Sequence, residues 1–349
     1  MLIDELDTPC AVVDLDRLEA NIARLQTYLS EHGLANRPHI KTHKIPAIAQ
    51  MQVDAGAVGI TCQKIGEAEV MAAAGLRDIF LPYNILGEAK LNRLMQLARR
   101  ITLSVTVDSA VVARGLSGAA QRAELTLTVL VECDTGAQRC GVQSPQAAAE
   151  LAQLIARLPG LRFGGLMTYP NSEPLDAFVS ATKALLAAER IPVERVSGGG
   201  TACMWQAHTH RELTEHRAGM YIYGDGKTIR SGAMTLEECS FGVITTVVSR
   251  PTRDRGILDA GSKVLSSDLL GLDGYGYIRE YPQARIVQLS EEHGHVDFSA
   301  GERQPEIGER VTVIPNHCCP VTNLLDEVVG VRRGKVEVTW RVAARGAVR

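Results

Sequence analysis

Leu15, Leu18, Ile22, Leu25 and Leu29 recur at three- and four-residue steps, which is one apolar stripe of a helix, and Asp14 is placed to cap it. Just before it, Ala11-Val12-Val13 reads as a strand. From Arg37 the chain alternates. Short apolar runs at 37–41, 58–62, 79–81, 101–107, 125–132, 163–167, 193–197 and 213–221 predict strands. The stretches between them, at 45–55, 66–75, 87–99, 109–121, 145–158, 174–190 and about 202–210, are rich in Ala, Leu and Glu and predict helices. Eight strand–helix alternations in about 210 residues suit a (β/α)8 TIM-like barrel better than an open sheet.

Near residue 240 the helical period stops. Gly, Pro and Asp cut the rest into β-rich runs at 242–249, 256–259, 285–289, 310–314, 327–332 and 335–339. The expected plan is α/β: a barrel over 11–240 and a smaller C-terminal all-β domain over 241–349, with residues 1–10 packing beside the β domain.

Hydrophobic residues make up 45% and charged residues 22% of the 349, the balance of an ordinary globular chain. A net charge of −3 argues against nucleic acid or an acidic membrane surface as partner. No apolar run nears the roughly 20 residues a membrane span needs, and MLIDELDTPC lacks the pattern of a signal peptide, so a cytoplasmic location is expected. The eight cysteines fit neither a disulfide framework nor a paired CxxC zinc pattern.

In a barrel of this kind, chemistry sits where strands end. Arg37-Pro38-His39-Ile40-Lys41-Thr42-His43-Lys44 ends the first strand. A lysine there can lose its proton through desolvation and neighbouring cations, and attack a carbonyl carbon. Gln63-Lys64, Tyr83-Asn84, Asp134 to Arg139 and Thr168-Tyr169 end later strands. After the seventh, Ser197-Gly198-Gly199-Gly200-Thr201 can fold its backbone into an anion-binding nest. In Arg217–Gly224, Gly219 can add an N–H and Tyr223 a hydroxyl. A nucleophilic lysine facing an anion cradle is what a phosphorylated aldehyde needs, and pyridoxal phosphate is that molecule. His317 and Cys319 form an H-x-C pair. In an extended segment both would project to one face and could reach one divalent metal; imidazole with thiolate suits zinc better than manganese.

Thr8-Pro9, Asp14, Asn21 and the Arg37–Lys44 block resemble the barrel-type (fold-type III, alanine-racemase-like) pyridoxal phosphate enzymes. Within that class the chain resembles the metal-activated D-threonine aldolase and D-serine dehydratase family. The likeness runs from end to end, through Asp134-Thr135-Gly136, Arg139-Cys140-Gly141-Val142, Gly198–Thr201, Arg217–Gly224 and Pro315-Asn316-His317-Cys318-Cys319-Pro320. It implies Lys41 as the cofactor lysine, with Lys44 helping to depress its pKa. It also implies Arg139 near the cofactor's phenolic oxygen, Tyr169 at the site, a phosphate cradle of Gly199, Gly200, Thr201, Gly219 and Tyr223, and zinc or manganese at His317 and Cys319. A homodimer is expected by the same resemblance. His293 is a candidate base or a support for the metal. His208, His210 and His216, around the eighth strand, are read as non-catalytic.

The chain departs from the family after strand six. Typical members carry a histidine shortly after the tyrosine, whereas this chain reads Tyr169-Pro170-Asn171-Ser172-Glu173-Pro174. The resemblance implies a lyase on β-hydroxy-D-amino acids, with retro-aldol cleavage of D-threonine-type substrates first and dehydration second. An amino-acid racemase, with Tyr275 or Tyr277 as the opposing base, leaves H-x-C unexplained. A non-catalytic pyridoxal phosphate homeostasis protein has no use for the β domain.

Overall fold

The computed structural model describes residues 1–349 and divides into two units. One comprises Leu25–Lys41, Pro46–Gly219 and Ala347–Arg349; the other comprises Met1–Arg24, Thr42–Ile45 and Met220–Gly346.

In the first unit, Ile60–Thr61, Asp78–Leu81, Thr102–Val107, Leu127–Cys133, Leu161–Thr168, Arg195–Gly198, Glu215–His216 and Ala35–Asn36 pair in that order, each parallel to the next. The segment after Ala35–Asn36 closes the ring. Arg37 and His39 donate their N–H groups to the carbonyls of His216 and Ala218 on one side. On the other side Asn36 and Pro38 accept from Val58 (2.9 Å) and Thr61 (2.8 Å). The sheet is therefore a closed barrel. Its first strand is shorter than the expected 37–41, because Pro38 has no N–H to give the ladder and Ile40–Thr42 turns into a 3-10 helix. The helices fall close to their expected places, at Pro46–Asp54, Ile65–Ala73, Glu88–Ala98, Ala110–Arg122, Pro145–Arg157 and Leu175–Ala187. The last expected helix is instead 3-10, Thr201–Thr209, with a kink at Cys203. The Leu15–Leu29 stripe lies buried along the helix Leu15–Glu31.

Two structures fill the barrel. Phe80, Leu130 and Met167 form a fully buried apolar cluster. Arg195 and Arg217 lay their guanidinium groups over the Phe80 ring, 4.8 and 5.7 Å from its centroid. From there a polar ladder crosses the interior. Arg217 donates to Ser197 Oγ (2.6 Å) and to the Thr168 carbonyl (2.9 Å), and Ser197 donates to Glu215 Oε1 (2.5 Å). Glu215 Oε2 in turn pairs with Arg37 Nε at 2.7 Å. A buried guanidinium is costly unless its donors are met; Arg37 is ion-paired with Glu215, and Arg217 is hydrogen-bonded to a hydroxyl and a carbonyl.

The second unit is a nine-stranded, mostly antiparallel sheet around Phe241–Ser249, which pairs with Arg255–Leu258 and Arg310–Ile314. The strand expected at 11–13 does not open the barrel. As Cys10–Asp14 it pairs antiparallel with Phe241–Ser249 and parallel with Glu327–Arg332. Ile3, Leu6 and Cys10 pack against Val12, Ile244, Val329 and Val331 of the same sheet. The far end of the chain also leaves the boundary expected for it, since Ala347–Arg349 joins the barrel, where Gly66 N–H donates to the Arg349 carbonyl at 2.9 Å.

Replacing Glu215 with leucine removes one of the two carboxylates paired with the buried Arg37, leaving Asp78, and should cost about 3 kcal/mol in urea unfolding. Burial alone would raise the Glu215 carboxyl pKa, but Arg37, Arg195 and the Ser197 hydroxyl hold it below the ordinary glutamate value. Its contribution should be complete above that ordinary value and fade as pH falls through the lowered one; a Glu215→Leu protein should lose this part of its acid dependence.

Candidate active site

Lys41 lies in the 3-10 turn Ile40–Thr42, at the end of the first barrel strand, and is solvent-exposed. Its backbone N–H donates to His39 Nδ1 at 3.4 Å, so His39 carries its proton on Nε2 and donates it to Gln63 Oε1 at 3.0 Å. This pairing orients the turn from which Lys41 projects. Lys44, three residues on, takes a left-handed conformation (φ 57°), is buried, and donates from Nζ to Asn323 Oδ1 at 2.7 Å.

The ends of strands five to seven bring Arg139, Tyr169 and Gly200 together. The Arg139 guanidinium lies 4.9 Å from the Tyr169 ring centroid. A Cβ added to Gly200 would sit 2.9 Å from Tyr169 Cε2, so only glycine lets the ring lie against that backbone. Arg139 also lies 3.9 Å from Glu132, a buried carboxylate that the sequence did not single out. Burial raises the Glu132 pKa, and Arg139 offsets part of the rise. Gly199 takes φ +93°, which glycine adopts readily. Thr201 Oγ1 accepts the Gly219 N–H at 3.3 Å, so the glycine turn and the end of strand eight meet.

In the other unit, Tyr223 is fully buried, stacks on Phe241 at 4.8 Å, and has no hydrogen-bond partner for its hydroxyl. A buried phenol without a partner is costly unless a ligand oxygen completes it. Burial pushes its pKa well up, so it is a donor.

His317 and Cys319 come together, but not on a strand. His317 is the extended residue capping a helix, Cys318–Leu324, and Cys319 lies in that helix's first turn. His317 Nδ1 pairs with Asp268 Oδ2 at 2.7 Å, which leaves Nε2 as its ligating atom. Burial alone would lower the His317 pKa; hydrogen bonding to Cys319, its charge and Asp268 push it up to about 9. A hydrogen bond from Cys318, with help from His317 and Thr42, holds the Cys319 thiol well below its usual range. A thiolate beside an imidazole backed by a carboxylate is the donor chemistry of a zinc-type site, so the residues fit a divalent metal. No set of three or more His, Cys, Asp or Glu side chains surrounds one point, so protein donors alone would not fill a coordination sphere.

His293 is exposed in the turn between Arg285–Leu289 and Gly294–Asp297. The supporting position expected of it is held by Asp268, and Asp225 accepts the Cys318 N–H at 3.1 Å. Neither aspartate lies in a local motif. Cys318 is buried in the first turn of the Cys318–Leu324 helix, and its side chain hydrogen-bonds Cys319.

A parallel barrel with a lysine at the end of its first strand, followed by a β-rich unit, is the plan of the fold-type III pyridoxal phosphate enzymes. Residues 13–227 match the alanine racemase N-terminal domain, and residues 240–331 match a putative serine dehydratase domain. The chain belongs to the metal-activated D-threonine aldolase and D-serine dehydratase family of these enzymes. It is 37% identical to a D-threonine aldolase of an Arthrobacter species, covering 98% of this chain and 93% of that one. It is 33% identical to a 3-hydroxy-D-aspartate aldolase of Paracoccus denitrificans, with the same coverage. The crystal structure of D-threonine aldolase from Filomicrobium marinum superposes with a TM-score of 0.93 at 33% identity, covering 99% of this chain and 97% of that one. No helix is long and apolar enough to cross a membrane.

Asp268→Asn should keep the fold and weaken zinc binding by about 10–100-fold in competition titrations, because a neutral amide no longer raises the basicity of His317. Cys319→Ala should abolish stoichiometric binding.

Proposed function

We propose that the protein is a pyridoxal-phosphate- and divalent-metal-dependent lyase that cleaves β-hydroxy-D-amino acids of the D-threonine type to glycine and an aldehyde. The observation that carries this reading is the Cys319–His317–Asp268 arrangement. A racemase has no need of a metal-binding thiolate, whereas bond cleavage beside a β-hydroxyl gains from a Lewis acid on that oxygen. Two of the relatives described above carry aldolase names, which supports the same direction.

When bound, pyridoxal phosphate supplies an electron sink and the metal supplies Lewis acidity. The chain's residues do the rest. Lys41 would provide the amine that holds the cofactor's aldehyde. The N–H groups of Gly199, Gly200 and Gly219, with the Thr201 hydroxyl, would hold the phosphate as fixed donors, and the partnerless Tyr223 hydroxyl would be a donor for a ligand oxygen. Arg139, against Tyr169, would hold positive charge for the phenolic oxygen. His317 and Cys319 would hold the metal, with zinc favoured over manganese.

Retro-aldol cleavage requires loss of the β-hydroxyl proton; dehydration requires loss of the α-proton and expulsion of hydroxide. With Asn171 and no histidine after Tyr169, we assign proton movement to Lys41 and Tyr169 among the protonatable groups at the barrel strand ends. Dehydration is the second reading, favoured by the match of residues 240–331 to a serine dehydratase domain.

A proton NMR time course in D2O with D-threonine, the cofactor-loaded protein and zinc or manganese should show glycine and acetaldehyde accumulating together, and EDTA should stop both. Accumulation of 2-oxobutyrate instead would assign the protein to the dehydratases. Unchanged D-threonine would sink the threonine-type substrate.

A further inference from the structure

Beneath the glycine turn lies a histidine that the reaction does not use. His216 ends the eighth barrel strand and is completely buried. Its ring presses on the underside of the turn: a Cβ placed on Gly199 would fall 2.1 Å from His216 Cε1 and 2.2 Å from Nδ1. Its position is held by a neighbour. The Asn171 side-chain amide donates to His216 Nδ1 at 3.4 Å. Asn171 is itself nearly buried, and its Oδ1 would lie 2.3 Å from a Cβ on Gly198. The pair thus touches two glycines of the turn, Gly198 and Gly199, from the side of the protein interior.

Burial, then the adjacent Arg217 charge, push the His216 pKa down to about 3, so the ring is neutral at working pH. It cannot attract an anion by charge. What it can do is fix backbone. A turn of three consecutive glycines has the widest conformational freedom a chain can have, and an anion site made of its N–H groups is weak unless that freedom is removed beforehand. A flat ring packed under Gly199 and hydrogen-bonded to Asn171, which itself packs against Gly198, restricts it.

We propose that His216, held by Asn171, is a positioning residue that preorganises the Gly198–Gly200 turn for a phosphate monoester, the phosphate end of the cofactor. This rests on the cofactor reading above. It also gives Asn171 a role, because in this chain the position after Tyr169-Pro170 supports the anion cradle.

The test compares two aldehydes on the full-length apoprotein. Pyridoxal phosphate and pyridoxal, which lacks the phosphate, are titrated by visible absorbance into wild type, His216→Leu and His216→Gln. Leucine keeps bulk but no polar atom, whereas glutamine keeps an amide that can pair with the Asn171 side chain. His216→Leu should bind pyridoxal phosphate about tenfold more weakly, as losing one hydrogen bond and the order it imposes implies. His216→Gln should recover most of that loss, and pyridoxal should bind all three proteins alike. Circular dichroism confirms that the variants are folded. Equal pyridoxal phosphate affinity in wild type and His216→Leu overturns the proposal, as does an equal loss for pyridoxal, which would mark a general structural role. If wild type takes up neither aldehyde, the cofactor reading itself fails and the proposal falls with it.

Discussion

The four residues Asn36–His39 carry the closure of the barrel. They are hydrogen-bonded to strand eight on one side and to the 58–61 segment on the other, so the ring closes through a stretch that also contains a proline. That double pairing fixes where the first strand must stop. The chain then turns through Ile40–Thr42, and Lys41 is set at a strand end by the same hydrogen bonds that close the sheet. Arg37, inside this segment, extends the constraint inward. Its ion pairs with Glu215 and Asp78 tie the first strand to the eighth and third, and the ladder through Ser197 reaches Arg217. Scaffold and reactive turn are thus one hydrogen-bonded object.

The candidate site divides its labour between rigid backbone and polarised side chains. Backbone N–H groups on glycines suit a phosphate because they approach closely and carry no charge that must be desolvated. The thiolate of Cys319 and the imidazole of His317 suit a cation for the opposite reason: Cys318 favours the ionised form of the Cys319 thiol, and Asp268 raises the basicity of His317. A neutral buried histidine under the phosphate turn fits the same logic, because it contributes order and leaves the charge to the ligand and its direct partners.

How much of this was legible in the sequence depended on how local each signal was. The eight strand–helix alternations were, because apolar periodicity is written in consecutive residues, and so was the change to β structure near 240. The glycine turn and the H-x-C pair were visible as short motifs, although the pair acts across a helix cap and not along a strand. The strand at Cys10–Asp14 was legible as a strand but not as a member of the β sheet, since its partners lie more than two hundred residues away in the chain. Asp268 and Glu132 escaped notice for a similar reason: each matters through one contact with a distant or exposed partner. The contact of Lys44 with Asn323 goes with a left-handed backbone, and no residue-type pattern announces that.

Everything proposed for the site stands on Lys41, and not Lys44, holding the cofactor. Sodium borohydride reduction of the pyridoxal-phosphate-loaded protein, followed by peptide mapping, tests this without reference to any substrate. A stable pyridoxyl label should appear on Lys41 alone, with Lys44 unmodified in its hydrogen bond to Asn323. A label on Lys44, or none on either residue, would contradict it.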